Sequence, residues 1–169
     1  MINYLEGDAT APIGEGKKVI CHICNDVGKW GSGFVIAISK RWKHVEHMYL
    51  DWSRGGMATP PFKLGNVMFC LADEGDIVIA NMIAQHKIQS MLPVGEVPIR
   101  YEALRDCMKK VNTVLHKEGE IMSPDFKPMT LHMPRIGCER AGGTWDEVEK
   151  IINTTIDKDV DVFVYDFKP

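Results

Sequence analysis

The chain has 169 residues, of which 45% are hydrophobic, and a formal net charge of −3. A chain of about 150 residues buries roughly 70% of its unfolded surface, so we expect one compact domain that spans residues 1–169. The small negative charge argues against a protein that binds nucleic acid through a basic face. The absence of any run of about 18 uncharged apolar residues argues against a membrane span.

Apolar runs with strand-like and helix-like periods alternate along the chain. Strands are predicted over residues 2–6, 18–24, 67–71, 77–83, 128–133 and 160–167, with a turn at 73–76 between the third and the fourth. Helices are predicted over residues 34–52, 99–117 and 145–156. Gly119 would end the second helix before a loop at 119–127, and a capping box of Thr144 and Glu147 would open the third. The alternation predicts an α/β fold with three layers and a mixed, mostly parallel sheet.

Two glycine-rich segments follow predicted strands and precede predicted helices. They are Gly-Lys-Trp-Gly-Ser-Gly at 28–33 and Gly-Cys-Glu-Arg-Ala-Gly-Gly at 137–143. Parallel sheets bind ligands at the carboxyl ends of their strands, where glycine backbone and helix starts favour anions. Two such loops facing each other would hold a diphosphate, and the alternative is a pair of tight turns. Neither matches the Walker or the G-x-G-x-x-G pattern, which argues against kinases and ordinary dehydrogenases.

Polar side chains stand where two predicted strands end. Asn25 has an amide that both donates and accepts, which suits a sugar hydroxyl, although capping the turn is the alternative. Asp8, in the sequence Gly7-Asp8-Ala9-Thr10, would cap a turn or accept a hydrogen bond from an amino group. These positions make the carboxyl edge of the sheet the expected ligand site.

The sequence Cys21-His22-Ile23-Cys24 invites a metal or redox interpretation. Zinc needs about four ligands, so His86 or His132 would have to complete the set, and a reactive dithiol should open a helix and not lie within a strand. Small apolar residues in a core strand are the better interpretation, and we expect neither a metal nor a cofactor. Five scattered cysteines and a start without a signal-peptide pattern lead us to expect reduced thiols and a cytoplasmic protein.

Several of these segments together resemble the macrodomain family over nearly the whole chain. The matching segments, in order, are Gly7-Asp8-Ala9-Thr10, His22-x-x-Asn25, Trp30-Gly31-Ser32-Gly33-Phe34, Met133-Pro134-Arg135-Ile136-Gly137-Cys138 and Gly142-Gly143-x-Trp145. The chain looks most similar to the branch that contains ADP-ribose-1''-phosphate phosphatases and terminal ADP-ribose glutamate hydrolases. His22-x-x-Asn25 and Trp30-Gly31-x-Gly33 are typical of the phosphatases. The resemblance implies a three-layer α/β/α fold.

The resemblance also implies an ADP-ribose site. Asp8 would bind the adenine amino group beside the Ala9 amide, and Tyr165 or Phe167 would flank the adenine. The Asn25 amide would contact the distal ribose, where His22 is the candidate for proton transfer. The first loop would cover the distal ribose and the diphosphate with Gly31, Ser32, Gly33, Phe34 and Val35. The second loop would donate amides to the diphosphate from Ile136, Gly137, Cys138, Ala141, Gly142, Gly143 and Thr144.

The sequence departs from the glutamate hydrolases at their catalytic lysine and aspartate. Ala141 stands where the aspartate belongs, and Lys87 lies beyond the position of the lysine, although Glu139 is a possible substitute. The His22-x-x-Asn25 match implies an enzyme that hydrolyses ADP-ribose-1''-phosphate or an ADP-ribosyl ester, whereas the missing lysine and aspartate favour slow phosphatase chemistry or binding without turnover. The alternative is a non-catalytic reader of free or protein-linked ADP-ribose. Residues 86–98 would form either a lid over the distal ribose or an incidental loop.

Overall fold

A computed structural model describes residues 2–72, 76–117 and 127–168. Six strands form one sheet: β1 Ile2–Glu6, β2 Lys18–Asn25, β3 Val67–Leu71, β4 Ile77–Gln85, β5 Thr130–Pro134 and β6 Val162–Asp166. Four helices accompany them: α1 Phe34–Arg41, α2 Lys43–Ser53, α3 Tyr101–His116 and α4 Trp145–Thr155, with a 3₁₀ turn at Gln89–Met91. The expected strands are therefore present, and their bounds differ from the prediction by at most two residues.

The sheet has the strand order β1-β6-β5-β2-β4-β3. The five strands from β1 to β4 in this order are mutually parallel, and only the edge strand β3 runs antiparallel, against β4. The carboxyl ends of β1, β6, β5, β2 and β4 therefore meet at one edge. This arrangement confirms the predicted mixed, mostly parallel sheet.

Helices cover both faces of the sheet. On one face α3 and α4 pack against strand residues such as Val19, Met82 and Leu131. On the other face α1 and α2 pack Ile38, Trp42, Val45, Tyr49 and Trp52 against the sheet. Because successive side chains of a strand point to opposite faces, β2 contributes Cys21 to the first core and Ile20 and Cys24 to the second. The three-layer α/β/α prediction is confirmed.

The predicted helix at 34–52 is interrupted. Trp42 has φ −135° and ψ 75°, so it ends α1 and begins α2. Its indole is almost completely buried in the core between these helices and the sheet. The apolar spacing of Ile38, Trp42 and Val45 continues across the break, which explains why periodicity alone predicts one helix.

The start of α4 also differs from the prediction. Thr144 is the N-cap residue, but its side chain makes no capping hydrogen bond, so the expected capping box is not formed. The Thr144 backbone N–H instead donates to the hydroxyl of Tyr101 (3.0 Å). Residues 73–75 of the predicted turn, Gly119 and most of the predicted 119–127 loop lie outside the described residues.

None of the described helices combines the length and the apolar character that crossing a bilayer requires.

Candidate functional site

A cleft of about 1190 Å³ opens at the carboxyl edge of the sheet. It runs from the ends of β1 and β6, past β5 and β2, to the end of β4. Fourteen of the residues predicted for the site line it: Asp8, Ala9, His22, Asn25, Gly31, Ser32, Gly33, Phe34, Val35, Ile136, Gly137, Ala141, Tyr165 and Phe167. Four predicted residues, Cys138, Gly142, Gly143 and Thr144, are not among the residues that line it. The structure thus brings most of the expected residues together, while their roles toward a ligand stay predictions.

The first glycine loop leads directly into α1. Gly33 is the N-cap residue with φ 79°, a left-handed conformation that favours glycine, and no side chain caps the helix. The first N–H groups of a helix have no partners within it, so those of Phe34 and Val35 are available to the cleft that these residues line. The positive end of the helix dipole therefore points toward the site.

The second glycine loop lies opposite the first. A Cβ atom placed on Gly33 would lie 3.7 Å from Cγ of Arg140, so the two loops are in close proximity across the cleft. Gly137 has φ 77°, and a Cβ atom there would lie 2.6 Å from the Ile99 side chain. Glycine is therefore required at position 137 for both conformational and steric reasons.

Hydrogen bonds within the protein already use several amides of the second loop. Gly143 donates to the carbonyl of Gly137 (2.7 Å), Gly142 to that of Glu139 (3.3 Å), and Ile136 to that of Pro134 (2.7 Å). Thr144 donates to Tyr101, as described above. These four N–H groups shape the loop, contrary to the expectation that they donate to a diphosphate. Of the seven predicted donors, Gly137, Cys138 and Ala141 remain, and Cys138 lies outside the cleft lining.

Asn25 organises the turn that precedes the first loop. Its Oδ1 accepts hydrogen bonds from the backbone N–H groups of Val27 (3.1 Å) and Lys29 (3.0 Å), and its Nδ2 donates to the Lys29 carbonyl (2.8 Å). The Tyr49 hydroxyl lies 2.8 Å from the Asn25 carbonyl oxygen and 3.0 Å from Oδ1. The turn-capping alternative is therefore present in the structure. One N–H of the side-chain amide remains for a ligand, because this amide has two.

His22 is 2% exposed at the floor of the cleft. Its Nε2 lies 2.5 Å from Oδ1 of Asn81, and its ring contacts the rings of Trp30 and Phe34. Burial lowers the pKa of His22 to about 4, only partly opposed by the Asn81 bond. A neutral imidazole that donates to Asn81 fits a residue that positions Trp30 and Phe34 better than one that transfers a proton.

The opposite end of the cleft contains Asp8 and Tyr165. Oδ1 of Asp8 accepts hydrogen bonds from the backbone N–H and the hydroxyl of Thr10 (2.8 and 2.7 Å), so Oδ2 is left for another donor. The Tyr165 hydroxyl accepts from the N–H of Ile13 (3.0 Å) and lies 2.8 Å from Nδ1 of the buried His132. Phe167 is 70% exposed at the rim.

His132 continues this chain of hydrogen bonds into the sheet. Its Nε2 lies 2.8 Å from the Thr130 hydroxyl, and its ring stacks on Phe163. Burial, together with the charge of Lys18, lowers the pKa of His132 to about 4. A neutral ring accepts at Nδ1 from Tyr165 and donates at Nε2 to Thr130, so Tyr165 is held by a buried side-chain network.

Some residues that line the cleft were missed by sequence reasoning. Lys29 and Arg140 lie within the two quoted glycine loops, but only the glycines of these loops were considered. Ile88, Gln89 and Ser90 also line the cleft, so the 86–98 segment borders the site. The Asp26 carboxylate holds this segment through the N–H of Lys87 (2.7 Å) and through Nδ1 of His86 (2.7 Å).

Three residues mark the difference from the glutamate hydrolases: Ala141, Lys87 and Glu139. Ala141 lines the cleft and is 4% exposed, so no carboxylate occupies that place. Lys87 is not among the residues that line the cleft, and its backbone is held at its N–H by Asp26 and at its carbonyl by Gln85. Glu139 does line the cleft.

The fold and the cleft define a class of protein. A parallel sheet with two facing glycine loops at its carboxyl edge, one of which opens an uncapped helix, is the architecture of α/β domains that bind phosphorylated ligands. Comparisons with known proteins narrow this class further, although no family model matches the chain.

Two solved structures are similar to the chain over almost its whole length. A macrodomain protein from Streptomyces coelicolor is 40% identical, with a TM-score of 0.78, over 98% of this chain and 99% of that one. A protein of unknown function from Bacteroides thetaiotaomicron is 46% identical, with a TM-score of 0.81, over 98% of both chains. The chain belongs to the macrodomain family, which confirms the resemblance found in the sequence.

Curated relatives are more distant. A mouse chromodomain-helicase-DNA-binding protein 1-like is 29% identical over 98% of this chain, which spans only 18% of the length of that protein. An ADP-ribose 1''-phosphate phosphatase from Candida albicans is 29% identical over 90% of this chain and 92% of its own. Thermosipho africanus DarTG, whose structure contains ADP-ribose, is 13% identical with a TM-score of 0.61, over 89% of this chain and 38% of that one, and shares the fold.

Proposed function

We propose that the cleft binds ADP-ribose or a derivative of it. The observation that carries this proposal is the pair of glycine loops in close proximity at Gly33 and Arg140, with the uncapped start of α1 between them. Open N–H groups and a helix dipole on one side, and the N–H groups of Gly137 and Ala141 on the other, suit a diphosphate of two negative charges. The macrodomain fold and the relatives described above support the same ligand.

The polar groups at the two ends of the cleft give the ligand a direction. Oδ2 of Asp8 would accept a hydrogen bond from the adenine amino group, with Tyr165 and Phe167 as the aromatic wall. The distal ribose would then lie near the free N–H of Asn25 and near Gln85, which lines the cleft at the end of β4. The diphosphate would lie between the loops.

We further propose that the protein hydrolyses ADP-ribose-1''-phosphate. A water oxygen would bond to the terminal phosphorus while the bond from phosphorus to the O1'' oxygen breaks. A proton of that water would pass to O1'', which gives ADP-ribose and inorganic phosphate. The free N–H of Asn25 would orient the ribose, and open loop amides would stabilise the developing negative charge. His22 would position the aromatic floor, since its neutral ring is bonded to Asn81. An ADP-ribosyl ester is the alternative substrate, and its hydrolysis would break the C–O ester bond to give ADP-ribose and a carboxylic acid.

A second candidate is a reader that binds ADP-ribose, free or attached to a protein, without turnover. Three observations favour it: Ala141 supplies no carboxylate, Lys87 does not line the cleft, and His22 is buried and paired. The two candidates differ in whether phosphate is released.

The test combines calorimetric binding of ADP-ribose with phosphate release from ADP-ribose-1''-phosphate. Gly33→Val, which strains a left-handed backbone and fills the gap between the loops, should abolish both. Gly14→Val is the matched control, because Gly14 has φ 91°, has nothing within 4 Å of its Cβ position and is not among the lining residues. Binding without phosphate release would establish the reader, whereas wild-type protein that binds no ADP-ribose would contradict the proposed function.

A further inference from the structure

We propose that Lys29 makes the distal end of the cleft selective for a ribose that carries an anionic group, such as a 1''-phosphate, over one with a free hydroxyl. This inference rests on the proposed binding of ADP-ribose and specifies what that ligand carries at its far end. It assigns a recognition role to a side chain, whereas the glycine loops would recognise the diphosphate through backbone amides.

The backbone of Lys29 is fixed at both of its peptide groups. The Asn25 side chain accepts from the Lys29 N–H and donates to the Lys29 carbonyl. Oδ1 of Asn25 is in turn held by Tyr49, whose ring is fully buried in the core under α2. A residue held in this way emerges from the same point of the cleft at all times, so little backbone entropy is lost when its side chain binds a ligand.

The ammonium group of Lys29 makes no interaction with the part of the chain that the structure describes. Lys29 lines the cleft and is exposed. Within residues 2–72, 76–117 and 127–168, its Nζ has no hydrogen bond or ion pair. The nearest acid along the chain, Asp26, faces His86 and the N–H of Lys87 instead. An unpaired cation fixed at a cleft wall is a ready partner for an anion.

Charge is distributed unevenly along the cleft. At the ends of β2 and β4 and in the segment after β4, the lining residues other than Lys29 are uncharged, among them Asn25, Gln85, Ile88, Gln89 and Ser90. Two further cations, Lys40 and Arg41, line the cleft from the last turn of α1. Two of the acids that line the cleft, Asp8 and Asp166, lie at the ends of β1 and β6 on the other side of the sheet, and the third, Glu139, belongs to the second loop. The distal end therefore favours a negative group and disfavours a cationic one.

Arg140 provides an internal comparison. It also lines the cleft without an ion pair among the described residues, but its side chain lies against Gly33, where the diphosphate would pass. A cation at the diphosphate would strengthen binding of every ADP-ribose derivative to the same extent. A cation at the distal end would strengthen binding only of those that carry an anion there. The two residues can thus be distinguished by a ratio of affinities.

The experiment measures the calorimetric affinities of the wild type, Lys29→Met and Arg140→Met for ADP-ribose and for ADP-ribose-1''-phosphate. The wild type should prefer the phosphorylated ligand by about tenfold, as expected for one charge-assisted contact in a partly exposed site. Lys29→Met should reduce this ratio to about twofold or less, and Lys29→Arg should preserve it. Arg140→Met should weaken the binding of both ligands and leave the ratio of their affinities unchanged. The control Lys109→Met removes an equal charge from the exposed face of α3 and should change nothing.

Two outcomes would overturn the inference while the proposed function survives. In the first, the wild type binds both ligands with the same affinity. In the second, Lys29→Met retains the wild-type ratio. A wild-type protein that binds neither ligand would contradict the proposed function and the inference with it. Because Lys29 is exposed and its contacts come from the backbone, a thermal unfolding curve should confirm that the variant is folded.

Discussion

The two ends of the cleft are built by different means. At the β1–β6 end, Tyr165 is held by a buried network of side chains that reaches through His132 to Thr130 within the sheet. At the β2–β4 end, one side chain, Asn25, holds a short turn by its backbone, and Lys29 is exposed on this turn. A wall anchored in the sheet suits a rigid ring of fixed shape. A backbone clamp that presents a long, exposed side chain suits a group that differs from one ligand to another.

Acid should test both ends together, because each contains a buried neutral histidine. The pKa values of His22 and His132 are lowered to about 4, below about 6.5 for an unfolded histidine. Between these pH values the unfolded state binds more protons than the folded state. The contribution of the two histidines to stability is therefore fully present above about pH 6.5 and is lost as the pH falls toward 4.

We expect the free energy of unfolding in urea to fall by roughly 3–6 kcal/mol between pH 7 and pH 4. Replacement of either histidine by glutamine should reduce by about half the slope of the unfolding free energy against pH. His47→Gln, which changes an exposed histidine of α2, is the control and should leave the slope unchanged. Equal slopes in all four proteins would show that neither buried histidine excludes protons.

The clamp at the distal end should be the more sensitive of the two ends to a single substitution. Asn25→Ala removes all the side-chain hydrogen bonds to the turn and leaves the buried Tyr49 hydroxyl with fewer acceptors, so we expect a loss of about 2–4 kcal/mol in unfolding free energy. Asn25→Asp keeps the acceptor at Oδ1 but replaces the bond to the Lys29 carbonyl by a contact between two oxygens, so only part of the stability should be recovered. Urea denaturation measures both. An Ala variant as stable as the wild type would contradict the clamp.

The anchored end should respond to a change inside the sheet. His132→Leu removes the hydrogen-bond acceptor of the Tyr165 hydroxyl. It should weaken the binding of ADP-ribose by about 1–2 kcal/mol, because the Tyr165 ring is no longer held in one orientation. Thr130→Val, which removes only the outer partner of His132, should have a smaller effect. Calorimetry with AMP and with ribose 5-phosphate makes the comparison sharper, since only AMP carries adenine. Equal weakening of the two fragments would indicate a general structural effect instead.

A pair of substitutions at the same end of the cleft separates two roles of Asp8. Asp8→Ala should weaken the binding of ADP-ribose by about 1–3 kcal/mol, because the adenine amino group loses its hydrogen-bond acceptor. Asp8→Asn keeps an oxygen for the turn at Thr10 but places an amide nitrogen where Oδ2 was, so it should bind as weakly as Asp8→Ala while unfolding like the wild type. An Asn variant with wild-type affinity would place the adenine elsewhere.

The fold was largely predictable because its signals are local. Apolar runs predicted the bounds of the strands to within two residues, and the alternation of strands and helices predicted the three-layer arrangement. The break at Trp42 was not predictable, since apolar spacing continues through it and the change of direction depends on packing against the sheet. The capping box failed because the Thr144 N–H has a tertiary partner, Tyr101, that lies 43 residues away in the chain.

The site was predictable as a set of loops but not as a set of free groups. The glycines indicated which segments meet, whereas only the structure shows that the N–H groups of Gly142 and Gly143 are used within the second loop. The resemblance implied that His22 transfers a proton, but the partner of His22, Asn81, lies on another strand and only the structure reveals it. Lys29 and Arg140 stand in the quoted motifs, but that no side chain within residues 2–72, 76–117 and 127–168 pairs with the cationic group of either of them is a tertiary property.

The short length of α1 has a consequence for how such a site changes over time. Trp42 divides this layer into an eight-residue segment that faces the cleft and an eleven-residue segment whose Val45, Tyr49 and Trp52 are inserted in the core. The longer segment therefore attaches the layer to the sheet, and the shorter one orients the N–H groups that face the cleft. Substitutions beneath the longer segment alter how firmly the layer adheres to the sheet, while substitutions in the shorter one alter the angle at which its leading amides meet a bound molecule.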